Sequence, residues 1–216
     1  MPSTSLIREL EKRLQLPLPG KPAQRIMAHA VRQCFQAPPR DAKTACVLSL
    51  LYPKYSDWHL VLIQRKSGHP DDPHGGQIGF PGGQYEEADG KLANGALREA
   101  EEEVGVRSED VKVLGKLTKL YIPVSNFLVH PFVGYLPYAP VFSPQLSEVD
   151  AILEIPFAHL QHPDTVQKID LKISENIILK NVPYFNVHEK VVWGATAMII
   201  SELLEVLKNQ ENREGT

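Results

Sequence analysis

The chain has 216 residues, 43% of them hydrophobic, and a formal net charge of −3, enough apolar material for one sizeable core and a single-domain default. Its lysines and arginines are scattered rather than clustered, which excludes the electrostatic footprint of a duplex nucleic-acid binder or of a protein held on an anionic membrane. No apolar run is long enough to cross a bilayer, so the partner is expected to be a small molecule rather than a nucleic acid or a membrane.

Met1 to Ser5 leads at once into a charged helical pattern and lacks the basic-then-apolar layout of a secretory signal, which makes the cytoplasm the expected location. Only Cys34 and Cys46 are present, without metal-like or C-x-x-C spacing, so buried reduced thiols are expected rather than a disulfide or zinc site.

In chain order, Leu6, Leu10 and Leu14 fall at helical spacing in Ser5 to Gln15. A second amphipathic stretch runs from Ala23 to Phe35 after a Pro- and Gly-containing breaker. Beyond Pro38 and Pro39, Thr44 to Tyr52 and Trp58 to Arg65 predict two strands joined as a hairpin by the polar turn Lys54 to Asp57. A Gly-rich segment and one strong helix follow. Further strands are predicted at Val111 to Leu120, Phe127 to Leu136, Ala151 to Pro156 and Lys168 to Ser174, with a closing helix from Ala195 to Leu207. Strands interleaved with a few helices predict an α+β sandwich, a mixed sheet covered on both faces. The expected organisation is an N-terminal helical extension over residues 1–40, packed on a domain of residues 41–210, with a disordered tail at 211–216. The Leu-rich first helix either covers the domain or forms a homodimer contact.

The strong helix begins near Lys91 or Leu92, with Asp89 as its cap, and stops at Gly105. At about 100° per residue, Leu97, Ala100 and Val104 share one side while Glu99, Glu102 and Glu103 cluster about 140° away. Like charges three and four residues apart repel by a few tenths of a kcal/mol per pair, so the arrangement is unfavourable unless a cation compensates it. Mg²⁺ or Mn²⁺ suits carboxylate oxygens better than a His and Cys cage would. Glu101 points elsewhere and is expected to be a solvated bystander. An isolated Glu triplet is usually a solvated face. Here it follows Gly75-Gly76-Gln77-Ile78-Gly79-Phe80-Pro81-Gly82-Gly83, a turn whose backbone can approach a phosphate or present a carbonyl to a metal.

Together these residues resemble the Nudix box, G-x(5)-E-x(7)-R-E-U-x-E-E-x-G-U, where U is aliphatic. Arg98 to Val106 matches its second half, with Ala100 at the first U. In the first half Asp89 replaces Glu, and eight residues instead of seven separate it from Arg98. That insertion and the preceding Phe80 to Gly83 look like the coenzyme A pyrophosphatase branch of the Nudix superfamily. Thr118 to Gly134, Glu148 to Pro156 and Trp193 to Ala197 are similar to further segments of that branch, so the likeness spans about residues 44 to 208. It departs four positions before Gly76, where Asp72 stands in place of a basic residue; an acidic group there repels a polyphosphate, and Arg65 and Lys66 are the candidates to substitute.

The resemblance implies a Nudix-like α/β/α sandwich and a metal-dependent pyrophosphatase that splits coenzyme A, or its derivatives, into adenosine 3′,5′-bisphosphate and phosphopantetheine. By position in the box, Glu99 and Glu103 would be direct metal ligands, Glu102 a ligand or the general base, and the Gly82 carbonyl a further ligand. Arg98 would hold the glutamates by charge-assisted hydrogen bonds. Glu148 is the second candidate base, its alternative an ordinary surface carboxylate shared with Asp150. Arg65, Gln77, Phe80 and Gly83 are the expected substrate contacts.

His69 and His74 flank the glycine loop as expected turn residues, and Tyr184, Phe185 and Trp193 either stack on an adenine or belong to the core. No G-x-S-x-G elbow or P-loop supports a rival catalytic class. The competing readings are a Nudix hydrolase of ADP-ribose, NADH or a dinucleoside polyphosphate, and a catalytically silent nucleotide sensor. The second has no need to keep three mutually repelling carboxylates.

Overall fold

The computed structural model describes residues 2–32, 37–67, 74–174 and 177–208. Cys34, His69, Asp72 and the expected tail at 211–216 lie outside the described residues.

The predicted hairpin is present as β1 (Lys43–Lys54) and β2 (Asp57–Arg65), in antiparallel register from Leu51 opposite Leu60 to Lys54 opposite Asp57. Its two-residue loop needs a positive φ, which Tyr55 adopts at 56°. Two short strands of the glycine segment, β3 (Ile78–Gly79) and β4 (Gly82–Gln84), add to β2 and β1 respectively. After helix α3 (Leu92–Val104) the chain forms β5 (Lys112–Lys116), β6 (Leu120–Ile122), β7 (Phe127–Tyr135) and β8 (Val149–Pro156). β7 runs parallel to β1 from Lys43 opposite Phe127 to Leu51 opposite Tyr135, while every other pairing in this eight-stranded sheet is antiparallel. The sheet is therefore mixed, as expected.

Both faces are buried because the period-2 alternation of β1 supplies two cores. Cys46, Leu48, Leu50 and Tyr52 pack with Ala96, Ala100 and Val104 of α3. Ala45 and Leu51 belong to the opposite cluster, with Met198, Ile199 and Leu203 of the C-terminal helix α5 (Gly194–Lys208). The first helices, α1 (Ser5–Arg13) and α2 (Gly20–Arg25), lie on the α5 side, where Ile7, Leu10, Leu14 and Met27 are buried. Trp58 Nε1 donates to Ser3 O at 2.9 Å, and Arg13 donates to the Val206 carbonyl at 3.0 Å, occupying an acceptor that the end of α5 leaves open. Among the described residues no helix is long and apolar enough to cross a membrane.

Several elements differ from expectation. The Ala23 to Phe35 helix is replaced by α2, which starts earlier because Pro22 is tolerated in a first turn, and by a 3-10 turn at Ala30–Arg32; residues 33–36 are outside the described set. The Val111 to Leu120 strand divides into β5 and β6 with a break from Leu117 to Lys119, and β5 itself carries a register shift between Val113 and Gly115. A second, three-stranded antiparallel sheet of β9 (Val166–Ser174), β10 (Ile177–Val187) and β11 (Lys190–Trp193) was foreseen only in β9. β10 escapes a period-2 reading because it carries a bulge between Leu179 and Val182, with Asn181 at a φ of 51°, and then Pro183. A short helix α4 (Phe157–Gln161) follows β8.

Candidate active site

α3 forms where alanines, leucines and straight-chain charged residues dominate, and Gly105 ends it in the left-handed conformation at a φ of 73°, its N–H donating to Glu101 O at 3.0 Å. Its N-cap is Lys91, and no side chain caps it. The expected cap by Asp89 is thus corrected. Asp89 closes its own 3-10 turn at Glu87–Asp89, accepting from Glu86 N at 2.9 Å, and its other oxygen accepts from Arg98 Nε at 2.8 Å.

Arg98 gathers the outer half of the site. Its Nη1 stands 3.0 Å from Glu99 Oε1 and 2.9 Å from Glu102 Oε2, and Nη2 donates to the Gln84 carbonyl at 3.1 Å. The hydrogen bond to Arg98, foremost, holds Asp89 below the usual carboxylate range, and the same bond raises the Arg98 pKa. Glu102 is 55% exposed and faces solvent. Glu101, expected to be a bystander, accepts from Ser108 N at 3.2 Å and Oγ at 2.6 Å, tying the helix end to the next turn.

The inner half is buried. Glu103 is 2% exposed, and its Oε2 accepts the Gly82 N–H at 2.8 Å. Gly82 has a φ of 154°, and a Cβ there would lie 2.4 Å from Cys46 O, so no other residue fits. A Cβ on Gly83 would meet Glu99 Oε2 at 2.5 Å, which shows how closely that carboxylate covers the turn. Burial, foremost, pushes the Glu103 pKa up to about 7; the Gly82 N–H and Arg65 oppose this, and Glu99 and Glu148 add to it. Burial also raises Glu99, against the pull of Arg98, with Glu102 and Glu148 contributing.

Glu148 reaches this cluster because the loop before β8 caps the end of α3. Ser143 N donates to Val104 O and Gln145 N to Glu103 O, each at 3.0 Å, and Glu148 N turns back to Gln145 O at 2.9 Å. The helix end thereby draws the loop against Glu103. Nothing in the linear spacing announces that arrangement; the signal available was a helix C-terminus whose last carbonyls needed donors.

The remaining expected site residues divide. Arg65 Nη1 stands 3.9 Å from Glu103 Oε1, and the Arg65 N–H donates to Gln77 O at 2.9 Å. Gln77 Oε1 lies 3.3 Å from His74 Nδ1. Lys66 Nζ donates to Leu146 O at 2.7 Å. Phe80 is 5% exposed and packs in the hydrophobic core. Phe185 is likewise core, whereas Trp193 is half-buried. Cys46 is buried and free, and burial lifts its thiol pKa to about 11, so it is inert.

The donor set at Glu99, Glu103 and Glu148 is all oxygen, and the charge of Glu148 adds to the raised pKa of both Glu99 and Glu103, which suits a hard divalent cation. Among the described residues no three such groups already stand at coordination spacing. The arrangement fits Mg²⁺ or Mn²⁺, with water and substrate oxygens completing the shell, better than a closed zinc cage.

The model of the NUDIX domain matches residues 42–173, more than half of the chain. The chain belongs to the Nudix family. Among its relatives is a protein described as uncharacterized Nudix hydrolase NudL from Photorhabdus laumondii, 34% identical over 61% of this chain and 69% of that one. Another of that description, from Escherichia coli O7:K1, is 35% identical over 66% of this chain and 72% of that one. A MutT/nudix family protein from Enterococcus faecalis shares the fold with a TM-score of 0.50 at 16% identity, covering 89% of this chain and 74% of that one. This Nudix hydrolase therefore carries the family's enzymatic assignment, hydrolysis of a nucleoside diphosphate derivative, with α3 and the Gly82 turn inside the matched segment.

Proposed function

We propose that this Nudix hydrolase cleaves the diphosphate of coenzyme A or its thioesters, releasing adenosine 3′,5′-bisphosphate and the phosphopantetheine half. The observation that carries the reading is the Asp89–Arg98 pair. The extra residue between them, the feature resembling the coenzyme A branch, lies in the interval where the Gly90–Lys91 link joins the 3-10 turn to α3, and Asp89 Oδ1 still meets Arg98 Nε at 2.8 Å. Arg98 then orients Glu99 and Glu102 together.

In this reading Glu99 and Glu103 would hold Mg²⁺ or Mn²⁺, with the Gly82 carbonyl as a further ligand. When bound, the ion neutralises charge on the diphosphate and lowers the pKa of attacking water. Glu102, solvent-facing and aimed by Arg98, accepts the proton from that water; Glu148 is the alternative acceptor, placed beside Glu103 by the loop that caps α3. Arg65 and Gln77 contact the substrate phosphates, with Arg65 supplying the positive charge missing at Asp72.

Mass spectrometry of products from coenzyme A, its thioesters and ADP-ribose with Mn²⁺ tests the substrate. Adenosine 3′,5′-bisphosphate from coenzyme A is the expected result. Intact coenzyme A beside rapid ADP-ribose cleavage would transfer the assignment to the other substrate.

A further inference from the structure

The N-terminal segment meets β11 at a second cluster that the hydrolytic chemistry leaves unused. The His29 and Trp193 rings stand 6.3 Å apart, tilted by 51°, and Trp193 is half-buried. Arg32 follows His29 by three residues, and its charge acts on the His29 ring. Its Nη2 donates to Tyr121 O at 2.9 Å, and among the described residues it forms no ion pair with a carboxylate. A guanidinium carries five N–H donors, so among the described residues most of its capacity is uncommitted. His29 Nδ1 is also buried without a hydrogen-bond partner among the described residues. Leaving a buried group such as His29 Nδ1 unsatisfied is unfavourable, and a ligand that satisfies it gains the difference.

This cluster is close to the hydrolytic turn. Thr196, three residues after Trp193, donates its hydroxyl to Ile78 O at 2.9 Å, and β11 packs on β3. From Ile78 the chain reaches Gly82 in four residues, a span of at most about 14 Å. Tyr121 lies in β6, which pairs with β7 at the end of the sheet that carries β4, since Leu128 is opposite both Tyr121 and Thr44 while Ala45 is opposite Gln84.

We propose that Trp193, His29 and Arg32 form a nucleotide subsite in which the base stacks on Trp193 and Arg32 binds a phosphate monoester remote from the scissile diphosphate. An indole face accepts any base, and a guanidinium fork matches a terminal phosphate. Burial, then the Arg32 charge, lowers the His29 pKa, so its ring is neutral at pH 7 and adds no competing charge beside the base. Burial brings the Arg32 pKa down only to about 10, which leaves it cationic. The subsite deepens the coenzyme A reading and rests on it for the identity of that phosphate, the ribose 3′-phosphate. It also assigns part of substrate recognition to the N-terminal segment, outside the matched residues 42–173.

Calorimetric titration of the full chain with adenosine 3′,5′-bisphosphate and with adenosine 5′-monophosphate tests it. The wild type is expected to bind the bisphosphate about tenfold more tightly or better, the margin of a charge-assisted contact. Arg32→Gln should bring the ratio close to one, and Arg32→Lys should restore part of it, which a merely unfolded variant would not do. Trp193→Leu should weaken both ligands by about fivefold or more. A wild-type ratio near one, a ratio unchanged in Arg32→Gln, or unchanged binding in Trp193→Leu would overturn the subsite. Absence of coenzyme A hydrolysis with the ratios as expected would instead remove the substrate assignment, so the two failures are distinguishable.

Discussion

The two halves of the acidic face of α3 are built by different means. At Glu103 the carboxylate is 2% exposed, clamped by the Gly82 N–H, in a space where a Cβ at Gly82 would sit 2.4 Å from Cys46 O. At Arg98 the contacts are ion pairs among groups that are 26% exposed for Arg98 and 55% for Glu102. The buried half is specified by sterics and tolerates no change, while the outer half is specified by charge and adapts. That difference explains why the inserted residue falls on the Asp89 side: the Gly90–Lys91 link between the 3-10 turn and α3 can take it up there without disturbing Glu103.

The largest effect is therefore expected at the rigid half. Gly82→Ala forces a side chain into backbone at an unfavourable φ and should lower stability by about 3 kcal/mol or more, measured by urea denaturation. Wild-type stability in that variant would mean that the turn is not sterically fixed. Next, Glu103→Gln and Glu102→Gln should each lower turnover at least about a hundredfold with the fold retained by circular dichroism. Near-wild-type turnover in both would remove hydrolysis from this helix.

The comparison sharpens with pH. Glu103 has a folded pKa of about 7 against an ordinary 4.5, raised mainly by burial, so its protonated form is the one the metal-free site accommodates. Its stabilising contribution is fully present below about pH 4.5 and is lost as pH rises through about 7. Metal-free protein should lose on the order of 1–2 kcal/mol between about pH 5 and about pH 8, below the ceiling of about 3 kcal/mol set by the full displacement. Glu103→Gln should flatten that profile in chelator; an unchanged slope would assign the loss to another group. The smallest effect belongs to the adaptable half. Arg98→Lys keeps the charge but cannot reach Asp89, Glu99 and Glu102 from one planar fork, so kcat should fall about tenfold with little change in melting temperature. An unaltered kcat would make Arg98 structural only.

Much of this arrangement was legible in the sequence because it is local. Helical spacing alone puts Glu99, Glu102 and Glu103 on one side and Ala100 and Val104 on the other, and the β1–β2 hairpin and α5 follow from periodicity. What was not legible depends on contacts between distant segments. The capping of α3 by Ser143 and Gln145, which carries Glu148 to Glu103, is set by tertiary packing. Asp89 was read as a helix cap because acidic residues favour that place, and the signal against it was Gly95. A glycine within a helix is unfavourable unless something approaches closely, and a Cβ there would meet Asp89 Oδ2 at 2.9 Å. The burial of Phe80 was not legible because its place in the motif says nothing of its direction, and the fold turns it into the core. β10 was missed because its bulge and Pro183 interrupt the alternation that identifies strands.

The central claim is that α3 and the Gly82 turn bind the divalent ion that hydrolysis requires. Titration of Mn²⁺ into the protein, with free Mn²⁺ followed by electron paramagnetic resonance, tests it most directly. The wild type should deplete free Mn²⁺ at micromolar concentration and the Glu99→Gln, Glu103→Gln double variant should not. Equal depletion by the two proteins would contradict the account.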